Sequence, residues 1–344
     1  MSIGTFQHYV PRFVLRGFGH GKRGLEKIHV FDKKTGREFV TGISKIGAEY
    51  GFYDIEGVSI DDLLTDLENQ AAPQIHQIVR QTSLKGIDRP LVALLVAIQE
   101  LRTAAFRSKL HRIMVELADH SRAMGFDPAR VETIRRISDS HIRISSMKMI
   151  AEAEPMVSCL LGLSWHLWEV PAGLTLYTSD APVVRQNLRH HGEMFSMGLA
   201  SDGIEVYLPL SDRLVLGMLC PSYAEKMVET SMTRPSVDHI PEAQVRELVQ
   251  QGLVFTLKPD EVLNLNSLQA FQARRFIFAS RGGFHLARRM AKKEPNMNEA
   301  LIMDERFAEL CEAIRPKARK AVRSRGRLRT RPGMPSPHRD QFGV

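Results

Sequence analysis

Basic and imidazole side chains recur at regular spacing in the first eighteen residues of the chain. His8, Arg12 and Arg16 lie four residues apart, and Pro11 suits the first turn of a helix, where its missing N–H costs nothing. A helix over residues 6–18 would therefore place the three side chains on one face. The arginines could hold an anion there, and histidine could transfer a proton near neutral pH. The alternative is that these side chains only hydrogen-bond to a neighbouring element.

Polar residues also interrupt the apolar faces of two predicted helices. At about 100° per residue, the apolar face of a helix over residues 89–117 is formed by Leu91, Leu95, Ile98, Phe106 and Ile113. Gln99 and Arg102 fall inside that arc, and Glu68 lies in the same way on the apolar face of the preceding helix. Because an unpaired buried charge is costly, we predict that Glu68 and Arg102 meet, or that both face one polar pocket.

This polar group has two open interpretations. In the first, Glu68 and Arg102 form a structural ion pair that joins two helices. In the second, Gln99, Arg102 and Arg107 bind an anionic group, since arginine recognises phosphate or carboxylate with two parallel hydrogen bonds. Glu68 would then handle a proton or bind a metal ion.

A further carboxylate lies where an apolar run ends, in the segment Ser179-Asp180-Ala181-Pro182. These residue types are typical of a turn, in which Asp180 could accept hydrogen bonds from backbone N–H groups. A carboxylate at the end of a strand is also a common metal ligand or general base. Both roles stay open for Asp180.

The spacing of apolar residues predicts the elements that position these side chains. Residues 27–32 and 37–41 predict a hairpin. Helical spacing extends from about residue 59 to 161 in three long helices, the third over residues 129–153. After Pro155, shorter runs predict strands of one sheet at 165–170, 174–178, 204–208 and 213–219, and helices near 241–251, 260–274 and 297–314.

These elements predict an α+β fold in which a helical core of three long helices packs with a small mixed or antiparallel sheet. We predict a single domain over residues 1–314, helix-rich in residues 1–155 and sheet-containing in residues 156–314. Residues 315–344 are basic and rich in Pro, Gly and Ser, which predicts a disordered tail.

The positive charge of the chain is concentrated in that tail. The net charge is +8, of which residues 315–344 contribute +9 and the other 314 residues −1. A basic tail predicts salt-sensitive binding to RNA or DNA without sequence preference. The residues that we expect to carry this binding are Arg319, Lys320, Arg323, Arg325, Arg327 and Arg329.

Composition argues against several classes of protein. The three cysteines are far apart and form no CxxC pair, so neither a disulfide framework nor a structural zinc site is predicted. The sequence contains no HExxH, Walker A, GxSxG or dinucleotide-binding pattern. It has no secretory signal pattern and no apolar run long enough to span a bilayer, so we expect a cytoplasmic protein without membrane contact.

Short blocks of the sequence resemble a known family. In chain order they are His8-x-x-Pro11-x-x-x-Leu15-x-x-Phe18, Val30-Phe31-Asp32-Lys33, the helix of Glu68, Gln99-x-x-Arg102-Thr103-x-x-x-Arg107, Ser179-Asp180-x-Pro182 and Pro209-Leu210-Ser211. They resemble the domain-of-unknown-function family numbered 4238 over roughly residues 6–280. Ala104 stands where that family often has proline. The resemblance implies a mostly microbial family without an established activity, and therefore no mechanism.

Helix geometry and these blocks select the same side chains. We predict a nucleic-acid-associated phosphodiester hydrolase in which His8, Glu68 and Asp180 are catalytic, with a divalent metal such as Mg²⁺ or Mn²⁺ as the candidate cofactor. The predicted substrate-binding residues are Arg12, Arg16, Gln99, Arg102 and Arg107. The alternative is a non-catalytic nucleic-acid-binding or interaction protein whose Glu68–Arg102 network is structural.

Overall fold

A computed structural model describes residues 5–54, 60–123, 125, 138–189, 197–232, 247 and 252–293. Helices and strands are both abundant, which confirms the α+β class. The helices are α1 (Arg12–Arg16), α2 (Asp61–Gln81), α3 (Arg89–Leu101), α4 (Ala104–Ala123), α5 (Asp139–Ala151), α6 (Glu154–Leu161), α7 (Pro221–Met232), α8 (Pro259–Gln272) and α9 (His285–Lys293). The strands are β1 (Phe6–His8), β2 (Lys27–Asp32), β3 (Arg37–Gly42), β4 (Ala48–Tyr50), β5 (Ser164–Glu169), β6 (Thr178–Ser179), β7 (Val184–Asn187), β8 (Ile204–Pro209), β9 (Leu214–Leu219), β10 (Val254–Thr256) and β11 (Phe276–Ala279).

The long helix predicted over residues 89–117 is two helices, α3 and α4, which are separated at Arg102 and Thr103. Thr103 explains the break, because its hydroxyl accepts a hydrogen bond from the Phe106 N–H (3.1 Å) and so caps the start of α4. The break shifts the phase of the apolar face. Ile113, predicted to be buried, is 42% exposed as a result.

The strands form three sheets rather than the one predicted. In the five-stranded sheet, β10-β5-β9-β8-β7, the β10–β5 pair is parallel and the other pairs are antiparallel, so this sheet is mixed. The four-stranded sheet, β3-β2-β11-β6, is antiparallel and contains the predicted hairpin. A separate antiparallel pair joins β1 to β4.

The strand predicted over residues 174–178 was wrong, and the backbone hydrogen bonds give the reason. The Leu176 N–H donates to the Asp212 carbonyl (3.0 Å), and the Tyr177 N–H donates to Asn266 Oδ1 (2.6 Å). A loop and a side chain thus take the place of a partner strand. The short strand β6 begins directly afterwards and belongs to the four-stranded sheet.

The helix predicted over residues 6–18 is confirmed only over Arg12–Arg16, and its first part was wrong. The chain first forms β1, and the N–H groups of the two residues that follow both donate to the Gly47 carbonyl (2.9 and 3.1 Å). Pro11 has an extended ψ of 139° and precedes the short helix α1. His8 therefore lies in a strand and shares no helical face with Arg12 and Arg16.

Two of the family-like blocks contact each other directly. The Gly17 carbonyl accepts a hydrogen bond from the Asp212 N–H (3.0 Å). A Cβ atom at Gly17 would lie 2.2 Å from the Leu210 carbonyl oxygen, so the close approach of the two backbones requires glycine. The first block and the Pro209-Leu210-Ser211 block therefore pack against each other in the folded protein.

A buried apolar core connects the helices with the sheets and includes Phe18, Phe31, Leu95, Trp165 and Phe278. Among the helices that the structure describes, none is long and apolar enough to cross a membrane. Several predicted elements lie wholly or largely outside the described residues: residues 129–137 of the third long helix, the helices near 241–251 and 297–314, and the basic tail over 315–344.

Candidate functional site

Arg102 is fully buried at the end of α3 and connects three parts of the fold. Its Nη1 donates to Glu68 Oε1 on α2 (2.8 Å), and its Nε donates to Gln99 Oε1 (2.9 Å). Gln99 in turn donates from Nε2 to the Tyr9 carbonyl (3.0 Å). The predicted contact between Glu68 and Arg102 is confirmed, and the amide of Gln99 is held at both ends.

His8 lies within electrostatic reach of Arg102. Burial, and then the charge of Arg12, lowers the pKa of His8 to about 4; a hydrogen bond to the Ile43 backbone opposes this shift, and Arg102 adds to it. His8 Nε2 and Arg102 Nη2 are buried and have no hydrogen-bond partner in the part of the chain that the structure describes. The imidazole is therefore neutral at pH 7, and its Nε2 is closed off from solvent.

We expect His8 to remain neutral until the pH falls to about 4. In the unfolded chain, histidine becomes protonated below about pH 6.5. The lowered pKa in the folded state therefore contributes to the free energy of unfolding, and this contribution is complete above about pH 6.5. This contribution is lost as the pH falls from about 6.5 toward 4. An NMR titration of the His8 ring, assigned with His8→Asn, measures the midpoint. A midpoint near 6.5 would contradict the lowered pKa of this partly buried ring.

The other predicted arginines occupy separate places. Arg12 is exposed at the start of α1, and Arg16 Nε pairs with Glu26 Oε1 (3.2 Å). Arg107 donates from Nη1 to the Phe52 carbonyl (2.8 Å), and its guanidinium carbon lies 3.7 Å from the centroid of the Phe52 ring. These contacts give Arg16 and Arg107 a role in packing.

Asp180 is buried, and its carboxylate accepts hydrogen bonds from the N–H groups of Arg274, Arg275 and Phe276 (2.8, 2.7 and 2.9 Å). Burial raises its pKa, while these three N–H groups and the charge of Lys33 oppose the rise. Both oxygens thus hold the turn between α8 and β11. These contacts support the turn-capping interpretation, and the described contacts of Asp180 do not include Glu68.

An open cavity of about 120 Å³ borders Gln99. Its walls come from the end of α3, the first half of α4, strand β7 with the turn before it, and the end of α8. The family-like blocks that contain Gln99 and Asp180 therefore meet at this cavity. We call it the Gln99 pocket. Its apolar wall is formed by Ala105, Phe106, Ala181, Val183, Met197 and Phe271.

The charged side chains of the Gln99 pocket are Glu100, Lys109, Arg112 and Arg185. Arg185 Nη2 forms an ion pair with Glu100 Oε2, and Arg185 Nη1 donates to the Met197 carbonyl (3.2 Å). Arg185 Nε is buried and lacks a hydrogen-bond partner among the described residues. Three cations and one carboxylate thus surround the cavity, which favours an anionic ligand.

Desolvation and the neighbouring charges of the pocket together lower the pKa of Lys109. The largest cause is desolvation of its ammonium group by neighbouring protein atoms, which lowers the pKa although the residue is exposed. Glu100 opposes the shift, whereas Arg185 and Arg112 add to it. Lys109 therefore responds to all three other charged groups of the pocket, and its ammonium is a stronger acid than that of an ordinary lysine.

The predicted metal role finds no donor set in the part of the chain that is described, where no group of three or more His, Cys, Asp or Glu is arranged to hold a metal ion. Of the residues predicted to form the site, Gln99 lines the pocket. Arg102 contacts Gln99 directly, and Glu68 contacts Arg102. The predicted site is thus brought together only in part.

Sequence reasoning missed the four charged residues of the pocket. Lys109 and Arg112 are three residues apart on α4, a spacing that places side chains on one helical face. Predicting one unbroken helix concealed their relation to Glu100, because the break at Thr103 changes the phase between α3 and α4. Arg185 lies on β7, for which no strand was predicted, and no local pattern connects it to α3.

No curated protein and no solved structure matches the chain. The sequence pattern of one family does match, and it covers residues 7–283, well over half of the 344 residues. This range includes every residue of the Gln99 pocket as well as the Glu68–Arg102 pair. The chain belongs to the family described as "Protein of unknown function (DUF4238)".

Proposed function

We propose that the protein is a nucleic-acid-associated phosphodiester hydrolase and that the Gln99 pocket holds the phosphate group. One observation carries this function: three cations and one carboxylate line an open cavity. Cations compensate the charge of a phosphodiester, and a carboxylate can take a proton from the attacking water. The pocket therefore contains the groups that hydrolysis of a phosphodiester requires.

Arg112 and Arg185 bind the non-bridging oxygens of the phosphate. Guanidinium groups suit this role because their N–H groups form a planar fork that matches phosphate oxygens. Glu100 and the Met197 carbonyl orient two nitrogens of Arg185, and its buried Nε still lacks an acceptor. A phosphate oxygen would supply that acceptor.

Glu100 and Lys109 move the protons of the reaction. The water oxygen bonds to phosphorus while the ester P–O bond breaks. The water gives one proton to the Glu100 carboxylate, and the Lys109 ammonium gives one proton to the leaving oxygen. The lowered pKa of Lys109 favours this donation. Proton transfer from Glu100 to Lys109 through solvent then restores both groups.

Arg102 and Glu68 are positioning residues in this mechanism. Arg102 and the Tyr9 carbonyl hold opposite ends of the Gln99 amide, so Gln99 presents a fixed wall to the pocket. Glu68 supplies the counter-charge that lets Arg102 stay buried. His8 and Asp180, which the sequence predicted as catalytic, have no part in the reaction that we propose.

Nucleic acid is the proposed substrate class because of the charge distribution along the chain. Residues 315–344 contribute +9 to a net charge of +8. Such a tail would add salt-sensitive affinity for RNA or DNA and keep phosphodiesters near the pocket. Mg²⁺ or Mn²⁺ is the proposed cofactor, and comparing cleavage in either ion with cleavage in EDTA tests this requirement.

The test incubates the purified full-length protein with end-labelled RNA and DNA in Mg²⁺, Mn²⁺ or EDTA. We expect the wild type to cleave the substrate. Lys109→Gln should lower the cleavage rate by at least about 10²-fold, because the proton donor is lost. Lys85→Gln, an exposed lysine outside the pocket, is the matched control. Binding without cleavage by all three proteins would instead support a non-catalytic nucleic-acid-binding protein in which the Glu68–Arg102 pair is structural.

A further inference from the structure

A second and larger cavity lies between α8, α9 and the segment that precedes β6. Its volume is about 790 Å³, which is within the range of small-molecule binding sites. We call it the Tyr177 groove. Apart from Pro259, its apolar residues are Leu174, Tyr177, Val262, Leu263 and Leu286.

The Tyr177 groove combines a buried apolar floor with a cationic rim. Tyr177, Val262 and Leu286 are buried. Burial raises the pKa of Tyr177 to about 12, so its hydroxyl is neutral at pH 7. The charged residues that line the groove are Lys258, Asp260, Arg281 and Arg289, three cations and one acid. All three cations are exposed.

This division of chemistry defines the class of ligand. An apolar body would be removed from water on the floor, while an anionic head group would meet the cations at the rim. Four of the five apolar residues are aliphatic, so the floor suits a flexible alkyl chain. No residue of the groove lines the Gln99 pocket, so the two sites are separate.

We propose that the Tyr177 groove binds an acyl chain with a carboxylate head group, with the chain on the aliphatic floor and the carboxylate between Arg281 and Arg289. Arg281 is already oriented, because its Nη2 donates to the Gly173 carbonyl (2.7 Å). Arg289 lies on α9, one turn after His285, which also lines the groove. This function does not depend on hydrolysis at the Gln99 pocket.

Titration calorimetry with hexanoate, octanoate and decanoate, each below its micelle concentration, tests the groove. Affinity is expected to rise about fourfold for each methylene group that is buried, or roughly 15-fold for each step of two carbons. Decanol, which has the chain without the charge, should bind at least about fivefold more weakly than decanoate. Affinity that does not depend on chain length would overturn the proposal.

Two variants separate the rim from the floor. Arg289→Gln removes a charge from an exposed position at the rim. It should lower the affinity for decanoate about fivefold without changing the affinity for decanol. Leu263→Trp adds bulk at a partly buried position and should weaken both ligands more than tenfold. Lys292→Gln, an exposed cation on the same helix outside the groove, is the control. Unchanged decanoate binding in both variants would locate the ligand elsewhere and contradict this assignment.

Discussion

Glu100→Gln is expected to lower the rate of phosphodiester cleavage by about 10²- to 10⁴-fold, which is the contribution typical of a general base. The glutamine keeps the shape of the side chain and can still accept a hydrogen bond from Arg185, but it cannot take a proton from water. The Glu100–Arg185 pair is partly exposed, with side-chain exposures of 22% and 15%. The free energy of unfolding should therefore change by about 1 kcal/mol or less.

Single-turnover cleavage, together with urea unfolding, separates these two effects. Glu116→Gln is the matched control, because Glu116 is an exposed carboxylate on α4 that does not line the pocket. A normal cleavage rate in Glu100→Gln would remove the general base from the mechanism. A rate that falls only in proportion to lost folded protein would make the Glu100–Arg185 pair structural.

Asp180→Asn is expected to lower the free energy of unfolding by roughly 2–4 kcal/mol. The wild-type carboxylate accepts hydrogen bonds from three partly buried N–H groups at the turn between α8 and β11. An asparagine offers one acceptor oxygen, and its NH₂ group would face a donor. At least one N–H would then lose its acceptor, and the charge that strengthens the remaining bonds would be gone.

Urea unfolding measures this loss, and the cleavage rate per folded molecule measures the role in chemistry. We expect the rate to stay near the wild-type value, since the Asp180 carboxylate is fully used by the turn. Full stability combined with lost cleavage would restore the catalytic role that the sequence predicted for Asp180. The nearby pair of Asp32 with Arg275 (3.0 Å) offers a comparison, because Asp32→Asn would weaken a side-chain contact of the same turn.

The spacing of apolar residues predicted those helices and strands whose pattern lies within one continuous segment of the sequence. The hairpin β2–β3 and the helices α2 and α8 follow from alternation or helical spacing within a single segment. The ion pair between Glu68 and Arg102 was predictable for a related reason. Each charge interrupts an apolar face, and a buried charge needs a partner.

The pocket itself could not be predicted in this way, because it joins segments that are distant in sequence. Gln99 and Arg112 meet Arg185 and Gln272 only in the tertiary structure. Thr103 shows a second limit of periodicity. Its cap ends one helix and starts another, and no change in hydrophobic spacing marks that position.

Asp180 illustrates why residue type alone does not fix a role. The same Ser-Asp-x-Pro pattern suits a metal ligand, a general base and a turn cap. Only the three N–H groups of residues 274–276, almost a hundred positions away, distinguish among these roles. The tertiary contact therefore carries the information that the local pattern lacks.

The most direct test of the central claim is cleavage of an RNA or DNA oligonucleotide in ¹⁸O-enriched water, followed by mass spectrometry of the products. If the Gln99 pocket directs water to phosphorus, one ¹⁸O atom will appear in the terminal phosphate of the product. Glu100→Gln, assayed for the same time, will yield almost no labelled product. Absence of cleavage by the wild type, or equal labelling by the wild type and the variant, would contradict a hydrolytic site at this pocket.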